Sequence, residues 1–226
     1  MDHPIIAKEE DQDEACYRQF YEEAISLCRQ KRFHEVLEKC RYTSLDDEEE
    51  YSIDVIQPEK IEFKQNSYED GENSIISFPE FLLLVLDVCT GGEQPASHYQ
   101  PDKLIEKFDA LKTYFTAGEF YEKMLYYRLL LDYYTIRRDI KDGQGNYSLI
   151  LKGPKDDSDK LKQYQSMLYV STEAFYNWLK PYLRKLEQDE LHSCAEMLAF
   201  LKKEDNERHS ILPARKDLSY KASGNI

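Results

Sequence analysis

The sequence lacks the short motifs that mark well-known catalytic and metal sites. It contains no CxxC pair, no HExxH set and no GxSxG sequence. The GQG triplet at Gly143–Gly145 has neither the preceding strand pattern nor the following helix start that a phosphate-binding loop needs. We therefore predict no catalytic residues, no metal ligands and no cofactor, and we expect a protein that is not an enzyme.

A long apolar run is also absent. The most apolar stretch, Phe81–Cys89, is about half the roughly 20 residues that a membrane span requires, and it contains Asp87. The sequence therefore predicts a buried helix at this position and no membrane span.

Basic residues are scarce relative to acidic ones. The chain has 30 Lys and Arg residues against 44 Asp and Glu residues, which gives a formal net charge of -14. Such a chain repels nucleic acid and anionic membranes at long range, so neither is an expected partner. A basic protein partner fits this charge, although solubility alone would explain it as well.

The five cysteines are an odd number at wide spacings, and no signal-peptide pattern follows Met1. This predicts reduced thiols and a cytoplasmic protein, which would reach an organelle surface only through a partner. The spacing of Cys16, Cys28, His34 and Cys40 fits no zinc-ligand pattern. Packing of small thiols on helix faces is the favoured interpretation.

The main feature that is present is an apolar and aromatic stretch at Phe115–Ile140, FTAGEFYEKMLYYRLLLDYYTIRRDI. After a helix break at Gly118, apolar residues recur at spacings of three and four and also fill the flanks. A helix that is apolar almost all round needs neighbours on more than one side. We therefore predict that this helix lies at the centre of the fold.

The rest of the chain predicts a single helical domain of seven or eight helices over residues 13–204. A flexible arm, residues 1–12, precedes it, and a disordered polar tail, residues 205–226, follows it. Two loop insertions, at about 46–74 and 141–158, contain short apolar stretches and could hold short strands.

Two segments look alike when their turns are superposed: EEAISLCRQKRFHEVLEKC and DALKTYFTAGEFYEKMLYY. In each, an apolar helix and a short break precede an aromatic residue, Phe33 or Phe120. This pattern resembles the tetratricopeptide repeat. In that comparison Ala24 matches the small residue at which two helices cross, and Gly118 matches the turn glycine.

The resemblance implies an all-α, irregular TPR-like helical-repeat fold, an α-solenoid that binds a protein partner. Leu111 stands where a small residue is expected, neither unit ends in the usual proline, and the two units are too far apart for a regular array.

The first hairpin and the aromatic helix pair are also similar to the cytosolic helical domain of the tail-anchored peroxisomal docking peroxin. That likeness implies a role in organelle biogenesis or protein import, and we expect no counterpart of that family's membrane anchor in these 226 residues.

Tyrosine is the most suggestive residue type for binding, since 18 occur in the chain and several lie in one hairpin. Packing explains most of them, but Tyr126 and Tyr133 on the flanks of the Phe120–Tyr134 helix, and Tyr121, are candidates for an aromatic groove. We expect this groove to take a helix or an extended peptide, and a Tyr126→Ala, Tyr133→Ala variant to lose binding without losing stability.

Arg137 and Arg138 are further candidates for binding. Near the end of the central helix they suit the helix dipole, and they could also clamp an acidic segment of a partner. Within the same helix, Arg128 and Asp132 are predicted to form an i, i+4 ion pair.

Two other functions stay open at this point, as does the oligomeric state. An enzyme or small-ligand-binding protein would show a deep pocket in which groups such as Asp132, Arg128 and Tyr127 converge. A structural subunit of a larger helical complex would show an exposed apolar edge around Trp178, Leu179 and Leu198.

Overall fold

Most of the chain is helical. The computed structural model describes residues 5–43, 71–91, 99–140, 146–155, 158–171 and 174–211. Eight α-helices lie within these ranges: α1 (Ile5–Arg29), α2 (Phe33–Thr43), α3 (Phe78–Thr90), α4 (Leu104–Leu111), α5 (Ala117–Tyr134), α6 (Ser158–Ser171), α7 (Leu179–Glu187) and α8 (Cys194–Ile211). Single 3₁₀ turns precede α4 and α7. Among the described helices none has both the length and the apolar character needed to cross a membrane.

A small antiparallel sheet joins the two predicted insertions. Its strands are β1 (Gly71–Ser74), β2 (Arg137–Ile140) and β3 (Tyr147–Ile150), in the order β1-β2-β3. The expectation of a short strand is confirmed for β3. Strand β1 lies at the end of the first predicted insertion, after the apolar stretches on which the expectation rested. The central strand β2 was predicted as the end of a helix, and that prediction is wrong.

Helix α5 lies at the centre of the fold, as predicted. It packs against α1, α3 and α7, so that several sides of the helix are covered. Near its start, the ring of Phe120 lies 5.1 Å from Phe108 and 5.5 Å from Phe115, which joins α5 to α4 and the connecting turn. The apolar character on all sides of this helix is therefore explained by its neighbours.

The start of α5 lies earlier than predicted. The hydroxyl of Thr116 accepts the backbone N–H of Glu119, and the Glu119 carboxylate accepts the Thr116 N–H at 2.7 Å, which forms a complete capping box. Gly118 therefore lies inside the first turn of the helix and does not break it. The turn of this hairpin precedes Thr116, so the match of Gly118 to a turn glycine is wrong.

The end of α5 is set by a distant side chain. Gln165 of α6 is fully buried; its Oε1 accepts the N–H of Ile136 at 2.9 Å, and its Nε2 donates to the carbonyl of Tyr134 at 2.9 Å. In a longer helix these two backbone groups would form intrahelical hydrogen bonds. Here the Gln165 side chain satisfies them instead. The chain leaves the helix at Thr135 with extended angles and enters β2.

Of the two predicted helical hairpins, α1 packs against α2 as expected, whereas α4 packs mainly against α3 and meets α5 through the ring pair of Phe108 and Phe120. In the first, Lys31 adopts a left-handed φ of 58° in the turn, and Ala24 is buried where the helices meet. The eight helices support the helical class. A continuous TPR-like solenoid remains a proposal.

The helices at the two ends of the predicted domain, residues 13–204, extend beyond its predicted boundaries. Helix α1 begins at Ile5, within the predicted arm, and α8 begins at Cys194 and continues to Ile211, into the predicted tail. The acidic and basic residues at these ends are good helix formers, and extending an existing helix is easier than starting one. In α8, pairs such as Glu204 with Arg208 at 3.8 Å support the added turns. Residues 1–4, 44–70, 141–145, 156–157 and 212–226, on which the remaining arm, insertion and tail predictions fall, lie outside the described residues.

Candidate functional site

The two tyrosines predicted to line an exposed groove are buried. The exposed fraction is 5% for Tyr126 and 1% for Tyr133. The Tyr133 hydroxyl donates to a Glu22 carboxylate oxygen at 2.7 Å, and its ring stacks on Tyr21 at 5.8 Å. The prediction is wrong because the flanks of α5 are covered by its neighbouring helices. Truncating both rings would remove core volume, so the variant proposed from the sequence would test stability instead of binding.

The two arginines predicted as a clamp are engaged within the fold. Arg137 pairs with Asp132 at 2.8 Å. Arg138 donates to the carbonyl of Ser74 through Nε at 3.1 Å and Nη2 at 2.8 Å, which ties β2 to the end of β1. Both guanidinium groups therefore form their contacts within the fold, where they stabilise the junction of the sheet and α5.

The groups expected to converge in an enzyme-like pocket point to different places. Arg128 and Asp132 form the predicted i, i+4 pair at 2.7 Å. The Tyr127 hydroxyl instead donates to Glu187 of α7 at 2.6 Å, and burial, with the Glu187 carboxylate beside it, raises the pKa of Tyr127. Arg128 lines one of the two clefts described below, whereas neither Asp132 nor Tyr127 lines either of them.

The apolar edge expected for a structural subunit is covered. Trp178 and Leu179 belong to the buried core, and Leu198 is partly buried against it. Trp178 and Leu179 face inward because α7 packs on α5, and Leu198 belongs to α8, which packs on α6 and α7.

Tyr121 is the predicted candidate that is exposed, and it lines an open groove of about 320 Å³ between α2, α3 and α5. We call this the apolar groove and define it by its hydrophobic lining residues: Phe33, Leu37, Phe78, Phe81, Tyr121, Met124 and Leu125. Three of them are large and far more exposed than core residues, with exposed fractions of 59% for Leu37, 59% for Phe78 and 64% for Tyr121. Glu122 and Arg128 stand at its rim.

Local capping interactions place two walls of the apolar groove. Ser77 and Glu80 form a capping box, so α3 begins with Phe78 at its first position and Pro79 at the second. The Thr116 box sets the start of α5, and its backbone hydrogen bond lowers the pKa of Glu119. Tyr121, Met124 and Leu125 then lie on one face of α5 at i, i+3 and i+4.

A larger and more polar cleft of about 660 Å³ lies on the other side of Glu122. Its charges are mostly paired: Arg29 contacts Asp189 at 2.9 Å, and Lys123 contacts Glu187. Burial raises the pKa of the Cys89 thiol at its edge to about 11, so this thiol is protonated at neutral pH and is a poor nucleophile. The cleft therefore offers no obvious reactive group.

Sequence reasoning missed Leu37 and Phe78 as groove residues. Leu37 follows Phe33 by four residues on the predicted apolar face of α2, which suggested that it would be buried. Periodicity identifies such a face but does not reveal whether another helix covers it.

Within the described residues, no group of three or more His, Cys, Asp or Glu side chains is placed to hold a metal ion.

Comparisons with known proteins place no family name on this architecture. No protein-family model, no curated protein and no solved structure matches the chain.

Proposed function

We propose that this chain is a non-enzymatic adaptor that binds an amphipathic helix of a protein partner in the apolar groove. The observation that carries the proposal is the exposure of Leu37, Phe78 and Tyr121 around a single concave surface. Exposed apolar residues that occur singly need no explanation, but several that line one groove are typical of interaction sites.

A helix is the ligand that suits this groove. The walls come from three helices, and Tyr121, Met124 and Leu125 form a ridge on α5. A partner helix with apolar residues at i, i+3, i+4 and i+7 can place its side chains beside such a ridge and between Leu37 and Phe78.

The charge of the groove rim favours basic residues beside the apolar stripe of the partner. Glu122 stands exposed at the rim, whereas Arg128 is already paired with Asp132 at 2.7 Å. The formal charge of -14 adds attraction at longer range. Charge complementarity of this kind mainly raises the association rate and fixes the orientation of the partner.

Two finer parts of the proposal come from sequence resemblance: a TPR-like arrangement of helices, and a role in organelle biogenesis or protein import like that of the peroxisomal docking peroxin. A third, a cytoplasmic location, comes from the cysteine pattern and the start of the sequence. The packed pair of α1 and α2 and the high helical content are compatible with a TPR-like arrangement.

The test uses two designed amphipathic peptides with the same leucine stripe, one with Lys and Arg on its polar face and one with Glu and Asp. We expect the basic peptide to bind the full chain saturably, as measured by fluorescence anisotropy. A Leu37→Ala, Tyr121→Ala double variant is expected to weaken binding at least about tenfold, since truncated apolar anchors lose their contacts on the partner.

The matched control is an Ile105→Ala, Val170→Ala double variant. Both residues are exposed apolar residues that do not line the groove. Equal losses of affinity in the two double variants, or equal binding of the acidic peptide, would overturn the proposal. Because all four side chains are exposed, thermal unfolding should be nearly unchanged in each variant.

A further inference from the structure

Two side chains separate the apolar groove from the neighbouring cleft of about 660 Å³, which we call the polar cleft. Glu122 of α5 and Phe33 of α2 line both spaces, and the two spaces share no other described lining residue. On α5, positions 121, 124, 125 and 128 line the groove, and positions 119, 123 and 126 line the polar cleft. The two spaces therefore lie on adjacent faces of one helix, with Glu122 on the ridge between them.

Glu122 is an acid on this ridge without a partner in the described part of the chain. Its side chain is exposed and forms no ion pair or hydrogen bond with any residue that the structure describes. Elsewhere in the polar cleft, Arg29 contacts Asp189 at 2.9 Å, and Lys123 contacts Glu187. Glu122 can therefore bind a cation from another molecule without first losing an ion pair of its own.

The other charges of the polar cleft leave Glu122 as its most accessible acid. Four acids and three bases line the described part of the cleft, so its formal charge is slightly negative. The exposed Lys31 opposes a positively charged ligand. The Glu119 carboxylate already accepts the backbone N–H of Thr116 at 2.7 Å. A cation therefore reaches Glu122 without disturbing the cap of α5.

Aromatic rings line the same cleft as Glu122. Tyr114, in the turn before α5, is 68% exposed, and Phe33 and Phe115 also line the cleft. A guanidinium group is planar and stacks on aromatic rings, and the aliphatic stem of arginine packs on apolar surface. An arginine side chain therefore suits a path that leaves the apolar groove, passes a carboxylate and ends among aromatic rings.

We propose that Glu122 pairs with one arginine of the partner helix, and that this arginine side chain crosses from the apolar groove into the polar cleft. The inference rests on the proposed adaptor function, because an apolar stripe bound in the groove brings the arginine to the ridge. The groove then supplies affinity for the stripe, and Glu122 selects a stripe that has an arginine beside it. Charge pairs at the rim of an interface select partners in this way.

The experiment is a double-mutant cycle on the full chain, measured by fluorescence anisotropy. The peptides carry the leucine stripe of the adaptor test on an otherwise uncharged helix, with Arg, Gln or Glu placed in turn at each position beside the stripe. At one of these positions we expect Arg to bind at least about threefold more tightly than Gln. Glu122→Gln should remove this preference, and Glu122→Lys should reverse it in favour of the Glu peptide.

The control for charge is Glu106→Gln on α4. Glu106 is exposed and lines neither space, so this variant should keep the preference for Arg. The path into the polar cleft is tested with Tyr114→Ala, which should weaken the Arg peptide at least about twofold and leave the Gln peptide unchanged. Its control is Tyr147→Ala, which truncates an exposed ring outside both spaces.

Equal affinities for the Arg and Gln peptides at every position would overturn this inference while leaving the adaptor function intact. An equal loss of the preference in the Glu106 and Glu122 variants would also overturn it, since the effect would then be one of net charge. An unchanged Arg preference in Tyr114→Ala would overturn the placement of the side chain in the polar cleft. Failure of every peptide to bind would instead contradict the adaptor function itself.

Discussion

Asp87 is the least expected residue in the core. It is a fully buried carboxylate within the apolar helix α3. Lys180 of α7 contacts its Oδ2 at 2.7 Å, and the Tyr99 hydroxyl donates to the same oxygen. Because an isolated buried carboxylate is strongly unfavourable, these two partners make its position tolerable and link α3 to α7.

Removing the cation should therefore destabilise the fold strongly. Lys180→Met leaves Asp87 buried without its counter-charge, and we expect the free energy of unfolding to fall by about 3–5 kcal/mol in urea titrations. The control is Lys185→Met on the same helix. It breaks an exposed pair with Glu190 at 2.6 Å and should lower the free energy by less than about 1 kcal/mol. Similar losses in the two variants would contradict a special role for the buried pair.

At the scale of elements, the segment from β3 to α6 depends on one close backbone approach. Gly153 is buried, and the carbonyl of Tyr133 occupies the place of any added side chain. That contact holds the segment against the end of α5, next to the bonds that Gln165 makes with Tyr134 and Ile136. Small size, and not a left-handed backbone, is what this position requires.

Two glycine substitutions should have opposite effects on stability. Gly153→Ala forces the backbone away from Tyr133 and is expected to lower the free energy of unfolding by at least about 2 kcal/mol. In Gly118→Ala, the nearest atom to the new Cβ is the Thr116 hydroxyl at 3.9 Å. Alanine favours the helix there, so the free energy should rise by about 0.5–1 kcal/mol. Urea midpoints measure both, and an unchanged midpoint for Gly153→Ala would contradict the close approach.

At the scale of the whole molecule, tyrosine hydroxyls join distant parts of the chain. Tyr17 donates to the carbonyl of Asp132, Tyr127 donates to Glu187 and Tyr133 donates to Glu22. Burial is the largest cause that raises the pKa of each of these three tyrosines. In Tyr164, burial and the neighbouring Asp205 carboxylate raise the pKa to about 12.

These raised pKa values predict loss of stability in alkali. Below a pH of about 10.0 the tyrosines are protonated in both states, and their contribution is complete. Above it the unfolded chain loses protons that the folded chain retains, so stability falls as pH rises through about 12, the pKa of folded Tyr164. Absorbance at about 295 nm, which reports tyrosinate, should rise together with the loss of helical circular dichroism. Full ionisation with the helices intact would contradict the role of the buried rings.

Much of the architecture could be predicted because it depends on neighbours within a few residues. The buried helix at Phe81–Cys89, the Arg128–Asp132 pair and the central place of α5 follow from spacing and composition. The binding candidates fared less well. Of the five candidate binding residues, Tyr121 lies exposed in the apolar groove. Tyr126 and Tyr133 are buried, and Arg137 and Arg138 form contacts within the fold.

The sequence by itself determined most of the helical segments and their apolar faces, since periodicity and capping are local properties. Only the tertiary structure decided which apolar faces are covered: the flank with Tyr133 meets α1, while Leu37 and Phe78 stay open. It also ended α5, through the amide of Gln165 from a separate helix. Burial and such long-range hydrogen bonds depend on which elements meet in space, and no pattern within a single helix carries that information.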